Sequence, residues 1–354
     1  MSNTKLKKHR PADKSKIAFF SLFCLPPLLL YILFCVYPIF SSLYTSFFEW
    51  SGYDALTKDN FVGFQNYIQV ITDSEFLAAI KNDFVIILGK EIIIIVLTIL
   101  FAVSLTRLRF SKLETGIYRF IFFMPNVLSV IIITTIWTFV LDPNFGILNP
   151  LLKGVGLTKL IPEMGWTFTH PIGVITFVSS WCGIGLFMLI MITAINGISK
   201  ELYESATIDG AGEWTQLRYI TMPAVWEQAK FMVITILYQS FSSSFTMVQA
   251  MLGSSVSEDS VVMGVFVYKN SFDSQWPQVG YSYAAAILML IISAAASFIV
   301  NRVMSRGDSV NEEKKKYSAP VPLGCGGAGN NKNLPCALER DCGIPGNMGA
   351  LYIS

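Results

Sequence analysis

Six long apolar runs constrain this chain more than any other feature of its sequence. They cover roughly residues 17–40, 84–103, 120–140, 171–195, 231–251 and 281–300. A helix of about 20 apolar residues crosses the hydrocarbon core of a bilayer, and each run approaches or exceeds that length. Helices are expected because lipid offers no hydrogen-bond partners to an open strand. The runs therefore predict an all-α, polytopic membrane protein with six transmembrane helices.

The composition excludes the common alternatives. Charged residues make up 14% of the 354 residues, and hydrophobic residues make up 53%. A soluble domain carries about 25% charged residues, so an ordinary soluble enzyme of this size is close to excluded. Disorder over most of the chain is excluded for the same reason. The net charge of +2 is too small to indicate nucleic-acid binding.

Lysine and arginine lie mostly on one side of the predicted helices. The loops and ends on that side hold eighteen of them: Lys5, Lys7, Lys8, Arg10, Lys14, Lys16, Arg107, Arg109, Lys112, Arg119, Lys200, Arg218, Lys230, Arg302, Arg306, Lys314, Lys315 and Lys316. The opposite loops hold five: Lys58, Lys81, Lys153, Lys159 and Lys269. Positive charge concentrates in cytoplasmic loops. We therefore expect a multi-pass membrane protein with both termini in the cytoplasm.

Catalytic signatures are missing from the sequence. It contains no H-E-x-x-H, G-x-S-x-G or G-x-x-x-x-G-K-[ST] pattern, and its two histidines are His9 and His170. We therefore expect no catalytic residue, no bound metal and no cofactor. A membrane-embedded enzyme is disfavoured, and any ATP hydrolysis is expected from a soluble partner.

One predicted cytoplasmic loop, residues 196–224, departs from the membrane pattern. Ser199 suits the cap of a helix, and Glu201 lies near the positive helix end. Gly210 favours a turn after that helix, and Pro223 suits the first turn of the helix that leads into the fifth run. The loop is predicted to form a helix, a turn and a second helix with one apolar face. Such a face either docks into a groove on a partner protein or packs on helices of its own chain.

This loop resembles the EAA loop of ABC importer permeases, the membrane subunits of binding-protein-dependent transporters. The family pattern is E-A-A-x-x-x-G, nine residues, then I-x-L-P. Five residues are in register, and a sixth completes the D-G-A form of the carbohydrate branch: Glu204, Ala206, Gly210, Ile220 and Pro223, with Asp209 before the glycine. Ser205 and Met222 depart from the pattern conservatively. In the family, this loop inserts a coupling helix into a cleft of the ATPase.

Other segments carry the same resemblance over residues 17–305. Stretches at 63–67, 119–126, 146–149 and 280–286 are similar to short family motifs. The resemblance points to the branch for maltose-like oligosaccharides and glycerol-3-phosphate. The stretch Met251-Leu-Gly-Ser-Ser255 departs from the T-x-G-G-P of that branch, so the individual sugar is left open.

The resemblance implies a type I ABC importer permease fold in a bacterial-type cell membrane, with a defined set of partners. These are a second homologous permease, two ATP-binding ATPase subunits, an extracytoplasmic solute-binding protein and a carbohydrate. Residues 1–16 are expected to form a basic cytoplasmic tail, 17–305 the six-span permease domain with its coupling loop at 196–224, and 306–354 a disordered cytoplasmic tail. The alternative is a secondary, ion-coupled transporter, which would need an acidic relay or broken repeats within the membrane.

The fifth run is unusually polar. Gln239, Ser242, Thr246 and Gln249 follow spacings of three, four and three, which place them on one helix face. This face either lines a solute pathway or joins helices by hydrogen bonds. Tyr238 or Trp181 would stack on a sugar ring. In the second run, the adjacent Lys90 and Glu91 either face protein or extend toward the surface, or they contribute to gating or to the pathway.

Overall fold

The computed structural model describes residues 14–107, 111–273 and 276–318. Regular structure in these ranges is helical apart from one isolated β-bridge between Phe48 and Phe61, so the all-α prediction is confirmed. The helices are α1 Lys14–Tyr31, α2 Tyr37–Thr45, α3 Gln65–Thr72, α4 Ser74–Arg107, α5 Lys112–Val127, α6 Val130–Val140, α7 Leu148–Gly154, α8 Trp166–Thr169, α9 Pro171–Asn196, α10 Lys200–Ile208, α11 Glu213–Gln216, α12 Met222–Ala224, α13 Trp226–Leu252, α14 Met263–Tyr268 and α15 Val279–Ser318.

Five helical stretches in the described ranges are long and apolar enough to cross a membrane. They are Ser21–Thr45, Ser74–Arg107, Pro171–Asn196, Trp226–Ser255 and Val279–Ser305. The pair Leu113–Val127 and Val130–Val140 supplies a sixth span if the two are counted together, and they meet at 104°. The number of apolar runs thus agrees with the sequence prediction.

The third run, predicted as one span over residues 120–140, consists of two helices, α5 and α6, with a sharp bend between them. The backbone leaves helical geometry at Leu128 (φ −77°, ψ 148°), and α6 restarts after Ser129. Pro125 lacks the N–H that would continue the hydrogen-bond ladder. The Asn126 Nδ2 donates to the Cys182 carbonyl oxygen at 3.3 Å, so the end of α5 is bonded to α9. The uniform hydropathy of this run conceals the break.

The main core lies where α4, α9 and α13 pack together. Ile87, Val178 and Val248, one from each helix, are completely buried there. Gly185 of α9 lets the backbone of α5 approach closely, since an added Cβ would lie 2.1 Å from the Phe122 carbonyl oxygen. Small residues at helix contacts permit this kind of approach in membrane bundles.

Polar bonds tie the beginning of α4 to the segment that precedes α14. The Asn82 Nδ2 donates to the carbonyl oxygens of Glu258 and Val261 at 3.0 and 2.9 Å. The Met263 N–H donates to the Asp83 Oδ2 at 2.8 Å. Both α4 side chains are buried, so these bonds fix the approach to α14 against the bundle.

The chain divides into residues 1–307 and a separate unit, 308–354. Of the second unit the structure describes residues 308–318, which are helical. The expectation of disorder from residue 306 therefore differs from the structure as far as Ser318, where Glu and Lys residues favour helix. The remainder of the expected tail, 319–354, lies outside the described residues, as do residues 1–13 of the expected N-terminal tail. Lys14–Lys16 of that tail begin α1.

Candidate functional site

The 196–224 loop forms the predicted helix, turn and helix. The Ser199 Oγ caps α10 by accepting from the Glu201 N–H at 3.3 Å. Gly210 adopts φ +82°, and the Ala211 N–H donates to the Ala206 carbonyl oxygen at 2.8 Å. This is the hydrogen bond of a glycine-terminated helix end. The turn therefore depends on a backbone conformation that glycine adopts at little cost.

The return path to α13 runs through three short helical pieces. α11 continues as a π-helical segment, Leu217–Thr221, and then as α12. Pro223 lies in the first turn of α12, as its missing N–H requires. The chain then enters α13 at Trp226.

A polar cluster inside the loop joins it to the end of α4. The Arg107 Nη1 donates to the Gln216 Oε1 at 3.3 Å, and its Nη2 donates to the Thr221 Oγ1 at 2.8 Å. The guanidinium also lies 4.7 Å from the centre of the Tyr203 ring. Gln216 and Thr221 are buried. The cluster therefore fixes the loop to the membrane bundle from within.

Further bonds close the same cluster between α10 and α11. The Gln216 Nε2 donates to the Thr207 Oγ1 and to the Ala211 carbonyl oxygen, both at 3.0 Å. The hydroxyls of Tyr203 and Thr221 are 3.0 Å apart. The loop is thus a packed unit with its own polar interior, which is suited to transmitting a displacement.

The predicted coupling residues lie largely at the surface of this unit. Four of them are exposed and two are half-buried: Glu204, Asp209, Gly210 and Pro223 in the first group, Ala206 and Ile220 in the second. Two apolar side chains beside the turn are also exposed, Ile208 at 86% and Trp214 at 73%. The surface near the turn therefore combines acidic and apolar groups.

Three of the four predicted pathway residues line one cavity. Gln239, Ser242 and Thr246 of α13 face a space of about 420 Å³. The other polar lining residues include Asn126 of α5, Ser179 of α9 and Lys90 of α4. The residues that line the cavity are Lys90, Ile94, Asn126, Val130, Ser179, Cys182, Gly183, Phe187, Ile236, Tyr238, Gln239, Ser242, Ser243, Thr246 and Met247. The polar face of α13 therefore faces a cavity lined by five helices, α4, α5, α6, α9 and α13.

The remaining candidates divide between the cavity and the core. Gln249 is half-buried one turn beyond Thr246 and does not line this cavity. Tyr238 lines it and is 74% exposed. Trp181 instead packs edge-to-face on Trp137, with ring centres 5.6 Å apart. Of the two aromatic candidates, Tyr238 is the one placed to stack on a solute.

Residues 94–307 match the protein family described as the binding-protein-dependent transport system inner membrane component. This region includes the loop and most of the cavity lining. The chain belongs to this family. It is a permease, a multi-pass inner-membrane component and not an enzyme, and its ATPase and binding protein are separate partners.

Individual relatives agree with this assignment over most of the permease. It is 31% identical over 287 residues to the probable ABC transporter permease protein YurN of Bacillus subtilis, covering 80% of this chain and 95% of YurN. The chain is also 28% identical to the diacetylchitobiose uptake system permease protein NgcF of Streptomyces coelicolor, and the match covers 87% of this chain and 89% of NgcF.

A solved structure shows the same fold. It is a bacterial ABC transporter involved in the import of the acidic polysaccharide alginate, and one of its chains is similar to the permease with a TM-score of 0.70 at 21% identity. The match covers 83% of this chain and 96% of that one. The predicted ABC importer permease fold is confirmed, and an ion-coupled secondary transporter is not favoured.

Sequence reasoning missed the roles of Arg107 and Gln216. Arg107 entered only as one of the charges that indicate orientation, and its partners lie 109 and 114 positions away along the chain. The available signal was an arginine just beyond the end of the second predicted span, together with glutamine, threonine and tyrosine in the 196–224 loop.

Proposed function

We propose that this permease forms half of the translocation pore of a carbohydrate importer, beside a second homologous permease. None of the most apolar window of Ser21–Thr45 is buried within the described chain, so this helix is free to contact lipid or another subunit. The relative NgcF is described as a permease for the uptake of diacetylchitobiose. A sugar or oligosaccharide is accordingly the proposed solute.

The observation that carries the proposal is the rigid loop at 196–224. It presents Ile208 and Trp214 to solvent, and its polar interior is bonded to Arg107 at the end of α4. An exposed apolar helix end on a fixed support is suited to a groove on a partner protein. We propose that Glu204, Ala206, Asp209, Gly210, Ile220 and Pro223 form the ATPase-coupling surface or hold its shape.

The distribution of charge supports the orientation that this docking requires. Eighteen lysines and arginines lie on the side of the loop, and five lie on the opposite side. On the positive-inside rule, we propose that the loop and both termini lie in the cytoplasm. The ATPase subunits would bind there, and the binding protein would deliver solute to the other side.

The cavity beside α13 supports the pathway. Gln239, Ser242 and Thr246 supply donors and acceptors that match sugar hydroxyls, and Tyr238 offers an aromatic face. Gln249 extends the same helix face by one turn. The cavity has a volume of about 420 Å³, which falls in the range of small-molecule sites. The solute would pass along this face between the two permeases.

Coupling follows from the difference in contacts between two states. ATP binding would close the ATPase pair and draw the two permease loops together, and each loop would move the helices bonded to it. The pore would then open toward the binding protein. A switch of this kind works only if the partner binds the two arrangements with different affinity.

The docking surface can be tested by removing the apolar pair beside the turn. In the double variant Ile208→Ala/Trp214→Ala, we expect the ATPase to be lost when the permease is purified from membranes. Phe145 is 88% exposed outside the loop, so Phe145→Ala is a matched control and should retain the ATPase. Full retention by the double variant would contradict the proposed docking surface.

A further inference from the structure

Lys90 occupies an unusual position for a charged residue. It is the single lysine or arginine within the six predicted membrane runs, out of 26 in the chain. It lies six residues, or about 9 Å, inside the apolar run that begins at Phe84. Ionisable residues within membrane helices are costly and mark functional positions by default.

The side chain of Lys90 faces protein. A lysine that extends to the membrane surface keeps its ammonium group in water, but Lys90 is only 7% exposed. It lines the same cavity as Gln239, Ser242 and Thr246. A buried lysine therefore contributes to the wall of the proposed pathway.

The described chain supplies no direct ion pair to this lysine, although the neighbouring Glu91 interacts with it electrostatically at longer range. Within those residues Lys90 makes no hydrogen bond and no ion pair within 4 Å, and no aspartate or glutamate lines the cavity. Glu91 follows it on α4 but points about 100° away, and it does not line the cavity. Lys269 and Lys230, by contrast, are paired with Glu75 and Glu227.

Burial without a partner is expensive for an ammonium group. A charge that leaves water is retained only when it is paired or hydrogen-bonded. A cavity with one unpaired cation and several neutral polar groups is therefore stabilised by a bound negative charge. The solute is the group that would enter this cavity and supply that charge.

We infer that the carbohydrate carried by this permease bears a carboxylate, so that it is a sugar of the uronic-acid type. This inference rests on the proposed function, because it specifies the solute of the same cavity. One lysine balances the single charge of one carboxylate. A phosphate monoester carries about −1.5 to −2 at neutral pH and would leave excess charge in the cavity. The amides and hydroxyls of α13 then bind the sugar hydroxyls.

The experiment compares sugars that differ in charge. Cells expressing the complete importer receive galacturonosyl-galactose, which carries one carboxylate, the neutral disaccharide galactobiose, or galactose 6-phosphate, and uptake is measured at several concentrations. We expect saturable, ATP-dependent uptake of galacturonosyl-galactose. In Lys90→Gln, the concentration for half-maximal uptake should rise about tenfold or more, as for loss of a hydrogen bond to a charged group. Lys90→Arg should retain most of the uptake.

Lys81→Gln is the matched control. Lys81 lies on the same helix, is exposed and does not line the cavity, so its uptake should equal that of the wild type. Immunoblots of the membrane fraction establish that each variant is inserted and assembled. One result would overturn the inference: Lys90→Gln fails to assemble, Lys90→Arg assembles, and the uptake of every sugar falls by a similar factor in Lys90→Gln. This result would show that Lys90 pairs with the second permease.

The remaining outcomes separate this inference from the proposed function. Uptake of galactobiose that is equal in the wild type and Lys90→Gln overturns the acidic solute and leaves carbohydrate import intact. Preference for galactose 6-phosphate over galacturonosyl-galactose overturns the carboxylate assignment. Absence of uptake of all three sugars by an assembled complex contradicts both the carbohydrate and the acidic solute.

Discussion

Replacing Arg107 by methionine should loosen the 196–224 loop without unfolding the membrane bundle. The variant removes two hydrogen bonds, to Gln216 at 3.3 Å and to Thr221 at 2.8 Å, and the contact with Tyr203. Hydrogen bonds to charged groups contribute about 1.5–3 kcal/mol each, and a partly exposed cation–π contact about 0.5–1 kcal/mol.

Other bonds within the cluster reduce the expected loss. Gln216 keeps its bonds to Thr207 and Ala211, and Thr221 keeps Tyr203, so neither buried side chain is left without a partner. Arg107 itself is half-buried, and water compensates part of the loss. We therefore expect the local opening free energy of the loop to fall by about 2–4 kcal/mol.

Hydrogen exchange of the assembled complex measures this quantity directly. Amides of residues 200–216 should exchange roughly 30- to 1,000-fold faster in Arg107→Met, and solute uptake should decrease. Arg218 is an exposed arginine of the same loop, 5.9 Å from the Tyr219 ring, so Arg218→Met is the control and should change exchange little. Unchanged exchange in Arg107→Met, or an equal change in Arg218→Met, would refute the role assigned to the cluster.

Three further substitutions test separate parts of the structure. Gly210→Ala places a side chain at φ +82° and should destabilise the turn by about 1–2 kcal/mol, so less ATPase should co-purify. Gly212→Ala, at φ −68°, should leave co-purification unchanged. Equal co-purification in the two variants would exclude a role for the turn. Gly185→Ala forces α5 and α9 apart and should lower the thermal stability of the purified complex by about 1–3 kcal/mol, while Gly173→Ala, with open space around it, serves as the neutral reference. Asn82→Leu removes two buried hydrogen bonds and should speed exchange of residues 257–263 by about tenfold or more; protection at the wild-type level would show that these bonds do not hold the segment.

Local sequence signals predicted the local structure well. Length and hydropathy located the spans, because each one must satisfy its backbone within a single helix. Ser199, Gly210 and Pro223 marked the boundaries in the 196–224 loop, since capping, positive φ and a missing N–H are properties of single residues. The helix spacing also placed Gln239, Ser242 and Thr246 on one face.

Features that depend on distant partners could not be predicted in the same way. Arg107 and Gln216 meet only because α4 and the loop are brought together in the fold. The break at Leu128 lies beside the bond from Asn126 to Cys182, which joins α5 to α9 and cannot be read from the sequence of the run. Gln249 shares the polar face of α13, but the cavity ends before it, and the extent of a cavity is determined by the neighbouring helices.

ATP-driven uptake in a defined system tests the central claim most directly. The permease, its partner permease and the binding protein are reconstituted in liposomes with or without the ATPase subunits, and uptake of labelled oligosaccharides is followed with ATP inside. We predict uptake only when both ATP and the ATPase are present. Uptake by the permease alone, driven by an ion gradient, would contradict the account.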